Sequence, residues 1–386
     1  MMSGASRPKA KRYAVGKIRL WVIGQLLTIG LLVAVQLSGT SRRWAEQAWY
    51  LADGNPWLEV AIFTWGLGAL FTLLELPLAW YGGFYMEHGF GLSTQTLRSW
   101  LIDQAKQLTL GGLFGLVIVE TLYAILRTVP PLACWFWIGG AWIGYSVVLA
   151  WIFPVWILPL FFKVTPLGDA GLAQRLRALA ERCGVAMVGI FTINLGSKTK
   201  KANAMLAGIG RSRRVLLGDT LLGYPPEEVE VVLAHEIGHH RLRHIWKLLV
   251  IGGALGLAGF GLIGVAMERL VRPLGLGGID DVAGLPLIWL LFSLYHLVLM
   301  PLQHGISRHF ERGADRFALE TTRQPEAFIG CMRRLAEQNL SDVDPSPWVE
   351  WWLYDHPSIA RRIRMAEAFA RRSAGPRGDS AVGQAT

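Results

Sequence analysis

Two histidines and a glutamate at a fixed spacing are the residues in this chain best suited to chemistry. They lie in the motif His235-Glu236-Ile237-Gly238-His239. On a helix, residues four apart face the same way, so the imidazoles of His235 and His239 can bind one zinc ion. Glu236 follows the first histidine and is then placed to take a proton from a water molecule at the metal. The motif predicts a hydrolytic zinc site with one Zn²⁺ per chain.

The residues before the motif favour a helix. The stretch Tyr224-Pro225-Pro226-Glu227-Glu228 places proline in a first helical turn and acids near the positive N-terminus. Val229, Val232 and Leu233 then recur at helical spacing. His235 and His239 are therefore expected on one face of a true helix.

A hydrolytic zinc site needs a third protein ligand, and two carboxylates downstream are candidates. Glu311 and Asp315 are one helical turn apart, so they share a helix face. We interpret Glu311 as the third ligand and Asp315 as the hydrogen-bond partner of a zinc histidine. The simpler alternatives are a solvated acid at 311 and a surface salt bridge from Asp315 to Arg312 or Arg316.

Composition indicates an integral membrane protein. Of 386 residues, 52% are hydrophobic and 17% are charged, and the mean hydropathy is +0.36. The 17 tryptophans and 44 glycines agree, because aromatic residues collect at bilayer interfaces and glycine is frequent in spanning helices. The three cysteines form no CxxC pair, which argues against a thiolate metal site. The net charge of +10 fits basic flanks lying against anionic lipid, and no nucleic-acid-binding pattern accompanies it.

Hydrophobic runs divide the chain into segments. The expected fold is a predominantly α-helical multi-pass membrane protein of six spans with a cytoplasm-facing, zincin-like α+β metallopeptidase domain. The predicted segments are a basic, disordered N-terminal arm (1–17), four spans (18–162), a first catalytic segment (163–244), a two-span hairpin (245–303), a second catalytic segment (304–372) and a disordered tail (373–386).

The hairpin has a consequence for the metal site. It starts just after the histidine motif and returns just before Glu311, so both segments reach the same membrane surface. The segments 163–244 and 304–386 hold twelve lysines or arginines each, whereas the loops on the other side hold only Arg42, Arg43, Arg127, Arg269 and Arg272. This asymmetry predicts that the termini and the site face the cytoplasm, as does the short segment 83–107.

The first catalytic segment has a mixed pattern. An amphipathic helix is expected from Ala170 to Cys183, and short strands are expected at Val188–Ile193 and Val215–Leu217.

Several longer motifs in the same order resemble the type I CAAX prenyl protease family of integral-membrane zinc peptidases. The stretches that carry the resemblance are Glu87-His88-Gly89-Phe90-Gly91-Leu92-Ser93-Thr94-Gln95, Leu158 to Leu167, Lys200-Lys201-Ala202-Asn203-Ala204, Arg214 to Leu222, the histidine motif with Ser307 to Asp315, and His356-Pro357-Ser358 with Arg362.

The resemblance implies a role for each matching residue. It implies His235, His239 and Glu311 as zinc ligands, Glu236 as the base and Asp315 as a partner of a ligand. It places Asn203, with Ala204, on a strand that lines the substrate, and it assigns His356 and Arg362 to stabilising the tetrahedral oxyanion. From the residues alone, a His-Pro pair is as readily a turn, and Arg362 as readily a solvated side chain.

Departures from the eukaryotic pattern resemble bacterial members of the family. Eukaryotic members have seven spans, whereas six are predicted here, and their serine- and histidine-rich stretch is replaced by Thr199-Lys200-Lys201. A bacterial inner membrane is therefore expected. Bacteria generally lack prenylated CAAX proteins, so these departures point away from prenyl-peptide processing.

The predicted function is a membrane zinc endopeptidase that cleaves membrane-associated or unfolded proteins or peptides, in quality control or in CAAX-type processing. An intramembrane protease is disfavoured, because charges flank the histidine motif and are costly in the bilayer core. A non-catalytic scaffold or transporter that retains a zinc site is disfavoured by Glu236, since a structural zinc site needs no base.

Overall fold

The computed structural model describes residues 6–185, 187–207 and 214–373. Its helices are α1 (Ser6–Leu37), α2 (Thr40–Leu51), α3 (Pro56–Trp80), α4 (Met86–Gly89), α5 (Leu97–Thr128), α6 (Pro131–Ile152), α7 (Leu158–Phe161), α8 (Ala170–Arg182), α9 (Pro226–Arg241), α10 (His244–Leu270), α11 (Leu285–Thr322), α12 (Pro325–Gln338), α13 (Pro347–Leu353) and α14 (Ile359–Ser373). Its strands are β1 (Val164–Pro166), β2 (Gly189–Ile193), β3 (Ala204–Ala207) and β4 (Arg214–Gly218).

Six helical stretches are long and apolar enough to cross a membrane, as the sequence predicts. They are Arg7–Leu37, Pro56–Gly89, Leu97–Thr128, Ala133–Phe161, His244–Leu270 and Val282–Thr322. Short π-helical turns at Tyr81–Tyr85 and Phe153–Ile157 join α3 to α4 and α6 to α7. Each of these two spans therefore continues through a local widening of the helix rather than ending there.

The expectation of a disordered N-terminal arm is wrong for residues 6–17, which form the first turns of α1. Tyr13 is buried, and its hydroxyl donates to Glu87 Oε1 at 2.5 Å. Lys17 and Lys201 lie 3.3 and 2.9 Å from the same carboxylate. The buried Glu87 carboxylate thus has three positively charged or hydroxyl partners, two of which lie in the N-terminal arm. These contacts hold the arm in place, although its polar composition predicts disorder. The predicted disordered tail lies outside the described residues, except for Ser373, which ends α14.

A small sheet supports the catalytic segments. Its strand order is β1-β2-β4-β3, with β2 and β4 parallel and the other two pairs antiparallel. The strands expected at Val188–Ile193 and Val215–Leu217 correspond to β2 and β4, and the expected helix corresponds to α8. β3 pairs with β4 on one side and forms an outer edge of the described sheet.

Two hydrophobic cores hold the two halves of the fold. One lies among the spans and includes Leu32, Phe63 and Met267. The other joins β4, α8, α9 and α12 through residues such as Leu217 and Leu233. Because α9 belongs to this second core, the helix of the histidine motif is anchored to the sheet.

α11 links the two halves. It runs unbroken for 38 residues, so the predicted boundary at residue 303 lies inside it. At 1.5 Å per residue, Glu311 lies about 39 Å along the helix from Leu285. A bilayer's hydrocarbon core is about 30 Å thick, so α11 is long enough to carry Glu311 beyond it.

Candidate metal and active site

α9 presents both histidines of the motif toward α11. Its first turn holds Pro226, Glu227 and Glu228, as the sequence predicts. The Nε2 atoms of His235 and His239 lie 3.1 Å apart. Glu236 directly follows His235 on the same helix, and its side chain is half-buried. The local geometry therefore matches the predicted metal helix.

α11 delivers Glu311 to these histidines. Glu311 Oε2 lies 3.2 Å from His235 Nε2, and Glu311 Oε1 lies 3.2 Å from His239 Nε2. The two helices approach closely because residue 238 is glycine. A Cβ added at Gly238 would lie 3.1 Å from Ala314 Cα and 3.2 Å from Ala314 O. The alternative of a solvated acid at position 311 is wrong, since the Glu311 side chain is buried.

The spacing of these three ligand atoms fits a tetrahedral zinc centre. Zinc lies about 2.0–2.1 Å from nitrogen and oxygen ligands, so neighbouring corners of its tetrahedron are about 3.3 Å apart. The three separations here, 3.1, 3.2 and 3.2 Å, form one face of such a tetrahedron. Within the described part of the chain, the buried Glu311 Oε2 has no hydrogen-bond donor, which is the state expected of a metal ligand. Among the described residues, the potential ligand atoms of His235, His239 and Glu311 also lie close enough together to hold one metal ion.

Asp315 lies behind His235, one turn beyond Glu311 on α11. Its Oδ1 is 2.9 Å from His235 Nδ1, although the angle is poor for a hydrogen bond. Burial lowers the pKa of His235, but the contacts with Asp315 and Glu311 outweigh burial and raise that pKa to about 9. The cluster therefore favours a positive charge at this position, which is the charge that a metal cation also supplies.

Arg362 binds Asp315 rather than lying exposed. Its Nε and Nη2 donate to the two Asp315 oxygens at 2.8 and 2.5 Å. The pKa of Arg362 is raised because the attraction of Asp315 exceeds the effect of burial. The alternative of a surface salt bridge from Asp315 to Arg312 or Arg316 is thus replaced by a buried pair with Arg362. This contact gives Arg362 a positioning role, and its predicted contact with the oxyanion stays a prediction.

His356 reaches the Glu311 carboxylate from the loop between α13 and α14. Its Nε2 lies 3.3 Å from Glu311 Oε1, and its Nδ1 lies 2.8 Å from Asp355 Oδ1. The hydrogen bond with Asp355 raises the pKa of His356. The His356 side chain is half exposed, so it lies next to the candidate ligand Glu311 and is also accessible from solvent.

Arg308 and Glu350 hold the loop that carries His356, and the sequence interpretation did not identify them. Arg308 Nη1 donates to the carbonyls of Glu350 and Tyr354 at 2.8 and 2.5 Å. The buried Glu350 carboxylate accepts from the Ser358 amide at 3.2 Å. Arg308 lies three residues before Glu311, which is the only sequence signal that could have pointed to it.

His244 supports His239, a role that its position five residues after His239 does not predict. It is buried at the start of α10, and its Nδ1 lies 3.0 Å from His239 Nδ1. A histidine that binds a metal usually donates its other ring N–H to a partner, and His244 lies in the position of such a partner for His239. Helical spacing could not reveal the contact, because Arg243 has a positive φ of 56° and breaks the helix between the two histidines.

Asn203 and Ala204 lie at the start of the outer strand β3. Asn203 is exposed, its side chain accepts from the Ala204 amide, and its carbonyl accepts from the Gly218 amide. β3 packs near α9, which places this edge beside the helix of the histidine motif. The position is suitable for an extended peptide, as the resemblance implies.

The spans surround a cavity of about 1410 Å³ with a mainly apolar lining. Side chains from α3, α5, α6, α10 and α11 form its wall, including Trp65, Trp142 and Tyr295. It extends to Gln303, about 12 Å along α11 from Glu311.

Family models match both halves of the chain. Residues 2–163 match the CAAX prenyl protease N-terminal model, described as five membrane helices, and residues 166–370 match peptidase family M48. The chain belongs to peptidase family M48. Four of its own candidate spans lie within the first matched region, against five in the description of that model.

Relatives of this M48 peptidase come from bacteria and eukaryotes. The uncharacterized metalloprotease YhfN of Bacillus subtilis is 31% identical over 93% of this chain and 84% of its own length. CAAX prenyl protease 1 of Saccharomyces cerevisiae is 29% identical over 77% of this chain and 69% of its own length. A crystal structure of S. mikatae Ste24p matches with a TM-score of 0.82 at 25% identity, and covers 93% of this chain and 88% of that one.

These likenesses settle the class of protein. The chain is a membrane-embedded metallopeptidase with the predicted mainly helical fold, and the expectation of a membrane zinc endopeptidase is confirmed. The alternative of a non-catalytic scaffold or transporter is not supported.

Proposed function

We propose that this M48 peptidase uses one zinc ion, held by His235, His239 and Glu311, to cleave extended peptide segments presented at the cytoplasmic face of a bacterial inner membrane. The observation that carries the proposal is the triangle of three ligand atoms with edges of 3.1–3.2 Å. Its substrates are segments of membrane-associated or unfolded proteins.

Each residue of the site has a separate task. His235, His239 and Glu311 would hold the zinc ion, which would supply Lewis acidity toward the scissile carbonyl and toward a water molecule near neutral pH. Glu236 takes the proton of the attacking water and then passes it to the leaving amine. His356 donates a hydrogen bond toward the oxygen that gains negative charge. Asp315, held by Arg362, fixes the ring of His235, and His244 fixes that of His239.

The position of β3 at the outer edge of the described sheet supports the choice of an extended substrate. A peptide that adds as a strand next to Asn203 and Ala204 is recognised mainly through its backbone. This mode tolerates varied side chains, which suits a peptidase acting on unfolded segments.

A second candidate is CAAX-type processing, and the large cavity among the spans favours it. The cavity has an apolar lining and reaches Gln303 near the metal site, so it offers room for a hydrophobic chain attached to a substrate. The relatives named CAAX prenyl protease agree with this candidate.

A single assay on the purified protein tests the proposal. The detergent-solubilised enzyme should hydrolyse a denatured protein such as casein, lose that activity to a zinc chelator, and regain it when zinc is added. Activity that persists in the chelator, with zinc absent by metal analysis, would show the proposed metal chemistry to be wrong. Comparing prenylated and unmodified forms of one peptide distinguishes the two substrate candidates.

A further inference from the structure

α13 exposes an unusual amount of aromatic surface for a helix of seven residues. The exposed fractions of Trp348, Trp351 and Trp352 are 76%, 45% and 40%. Neighbouring rings contact each other edge to face, with centroids 5.8 and 5.5 Å apart. None of the three lines the cavity among the spans. Large exposed aromatic patches mark interaction sites, so this surface needs a partner.

α13 is hydrogen-bonded to α11 at the height of His304 and Arg308. His304 Nδ1 lies 2.6 Å from the Trp352 carbonyl oxygen, and Arg308 donates to the carbonyls of Glu350 and Tyr354. His304 lies about 29 Å along α11 from Leu285, which is close to the thickness of a hydrocarbon core. The helix therefore sits where α11 passes from lipid to water.

The neighbouring span α10 gives an independent measure of the same level. α10 and α11 run in opposite directions, since Tyr295 donates to the Leu255 carbonyl and His244 stacks on Phe310 with ring centroids 4.5 Å apart. Two residues into α10, Trp246 is consequently level with the stretch between His304 and Arg308. Trp246 is 55% exposed and is followed by Lys247, a pair typical of a membrane–water interface.

We propose that α13 is an interfacial helix whose tryptophan rings lie in the headgroup region of the lipid bilayer, on the side that carries the metal site. Tryptophan prefers this region because its ring is apolar and its N–H needs a polar partner. α13 continues into Asp355 and His356, so bilayer contact also positions the loop that reaches Glu311. The partner is the lipid surface rather than a peptide.

Site-directed fluorescence in liposomes tests the placement. Cys183 is replaced by serine, while Cys134 and Cys331 are buried. Trp348→Cys is then labelled with an environment-sensitive fluorophore in phosphatidylcholine vesicles that contain nitroxide lipids, with the nitroxide either at the headgroup or deep in the acyl chain. Two matched controls are Val298→Cys, on the exposed face of α11, and Glu326→Cys, exposed at the start of α12 beyond the end of α11.

Each outcome decides the proposal. A label at 348 should be quenched most by headgroup nitroxide, the label at 298 by deep nitroxide, and the label at 326 by neither. A label at 348 that behaves like the one at 326 overturns the proposal. So does a label that becomes shielded only when casein peptides are added, because the partner is then the substrate. Trp351→Cys repeats the measurement if the first variant does not fold.

Discussion

Glu236 is the residue whose chemistry can be separated most cleanly from metal binding. It lies next to the ligand His235, but the three ligand atoms belong to other side chains. Glu236→Gln should therefore lower hydrolysis by about 10²–10⁴-fold, the usual contribution of a general base, while zinc content stays at one per chain. Activity on casein and metal analysis of the same sample are the measurements.

The matched control is Glu227→Gln, an exposed acid on the same helix that pairs with Arg175. It should retain activity. Normal hydrolysis by Glu236→Gln would assign the base to another residue.

Glu311 should be required for the metal itself. Glu311→Ala removes one of three ligands and leaves two histidines, so we expect zinc content to fall well below one per chain, with activity falling in proportion. Glu320→Ala, an exposed acid farther along the same helix, is the control and should keep its zinc. Full zinc occupancy in Glu311→Ala would point to a different third ligand.

His356 should set an alkaline limit to activity. Its Nδ1 faces Asp355, so neutral His356 carries its proton there, and Nε2 can donate only in the imidazolium form. Because the bond to Asp355 raises the pKa of His356, kcat/KM should decline as pH rises through a value above the usual pKa of about 6.5.

The variant Asp355→Asn tests this limit, since it removes the interaction that raises the pKa of His356. The alkaline limb of kcat/KM against pH should move to lower pH. Asp344→Asn, an exposed acid before α13, should leave the limb unchanged. An unmoved limb in Asp355→Asn would assign the titration to another group.

At the scale of residues, the sequence predicted the candidate zinc ligands but not the side chains that hold those ligands in position. The members of each pair, His235 with His239 and Glu311 with Asp315, are four residues apart. This spacing places them on one helix face, and it can be read directly from the sequence. The contacts of His244 with His239, and of Arg308 with the loop before His356, depend on a helix break and on tertiary packing. No periodic pattern encodes either of them. Arg362 shows the same limit, because its charge was evident while its burial against Asp315 was not.

At the scale of elements, the contact between α9 and α11 decides whether the site forms. Gly238 allows the two backbones to approach, and a methyl group there would meet Ala314 and the Phe317 Cβ at 3.1–3.2 Å. We expect Gly238→Ala to lower stability by about 1–3 kcal/mol and to reduce zinc content, because the helices must separate. Thermal unfolding and metal analysis measure these two effects.

Gly261→Ala is the control for this substitution, since an added Cβ there meets no neighbour within 4 Å. It should change neither quantity. Wild-type stability and zinc content in Gly238→Ala would show that the helix contact is looser than the structure indicates.

Element positions were predictable where pattern alone specifies them. The six spans, α8, β2 and β4 follow from hydrophobic runs and alternation. The helical state of residues 6–17 was missed, because the partner that orders Tyr13 and Lys17 is Glu87, a residue far away in sequence. The joining of a span and a catalytic segment into one helix, α11, was missed because the boundary at residue 303 follows the end of the hydrophobic run, whereas the helix continues into the polar segment.

For the molecule as a whole, the distribution of basic residues predicts its orientation. In bacterial cells a membrane-impermeant maleimide should label Tyr50→Cys, which is 84% exposed in the last turn of α2, on the side opposite the metal site. It should not label Glu326→Cys until the membrane is opened. Both variants carry Cys183→Ser, so that the half-buried native thiol does not react. Labelling of Glu326→Cys in intact cells would place the metal site outside the cytoplasm.

The path of the chain between the histidines and Glu311 also bears on how the enzyme matures. Two crossings of the bilayer separate α9 from the end of α11, so a nascent chain that has not completed both of them lacks the third ligand. On the proposed assignment of Glu311 as a ligand, we expect strong zinc binding, and with it proteolysis, only once the hairpin is in place. Membrane insertion of the hairpin is therefore expected to complete the metal site, and a chain that is still being inserted should not yet cleave peptides.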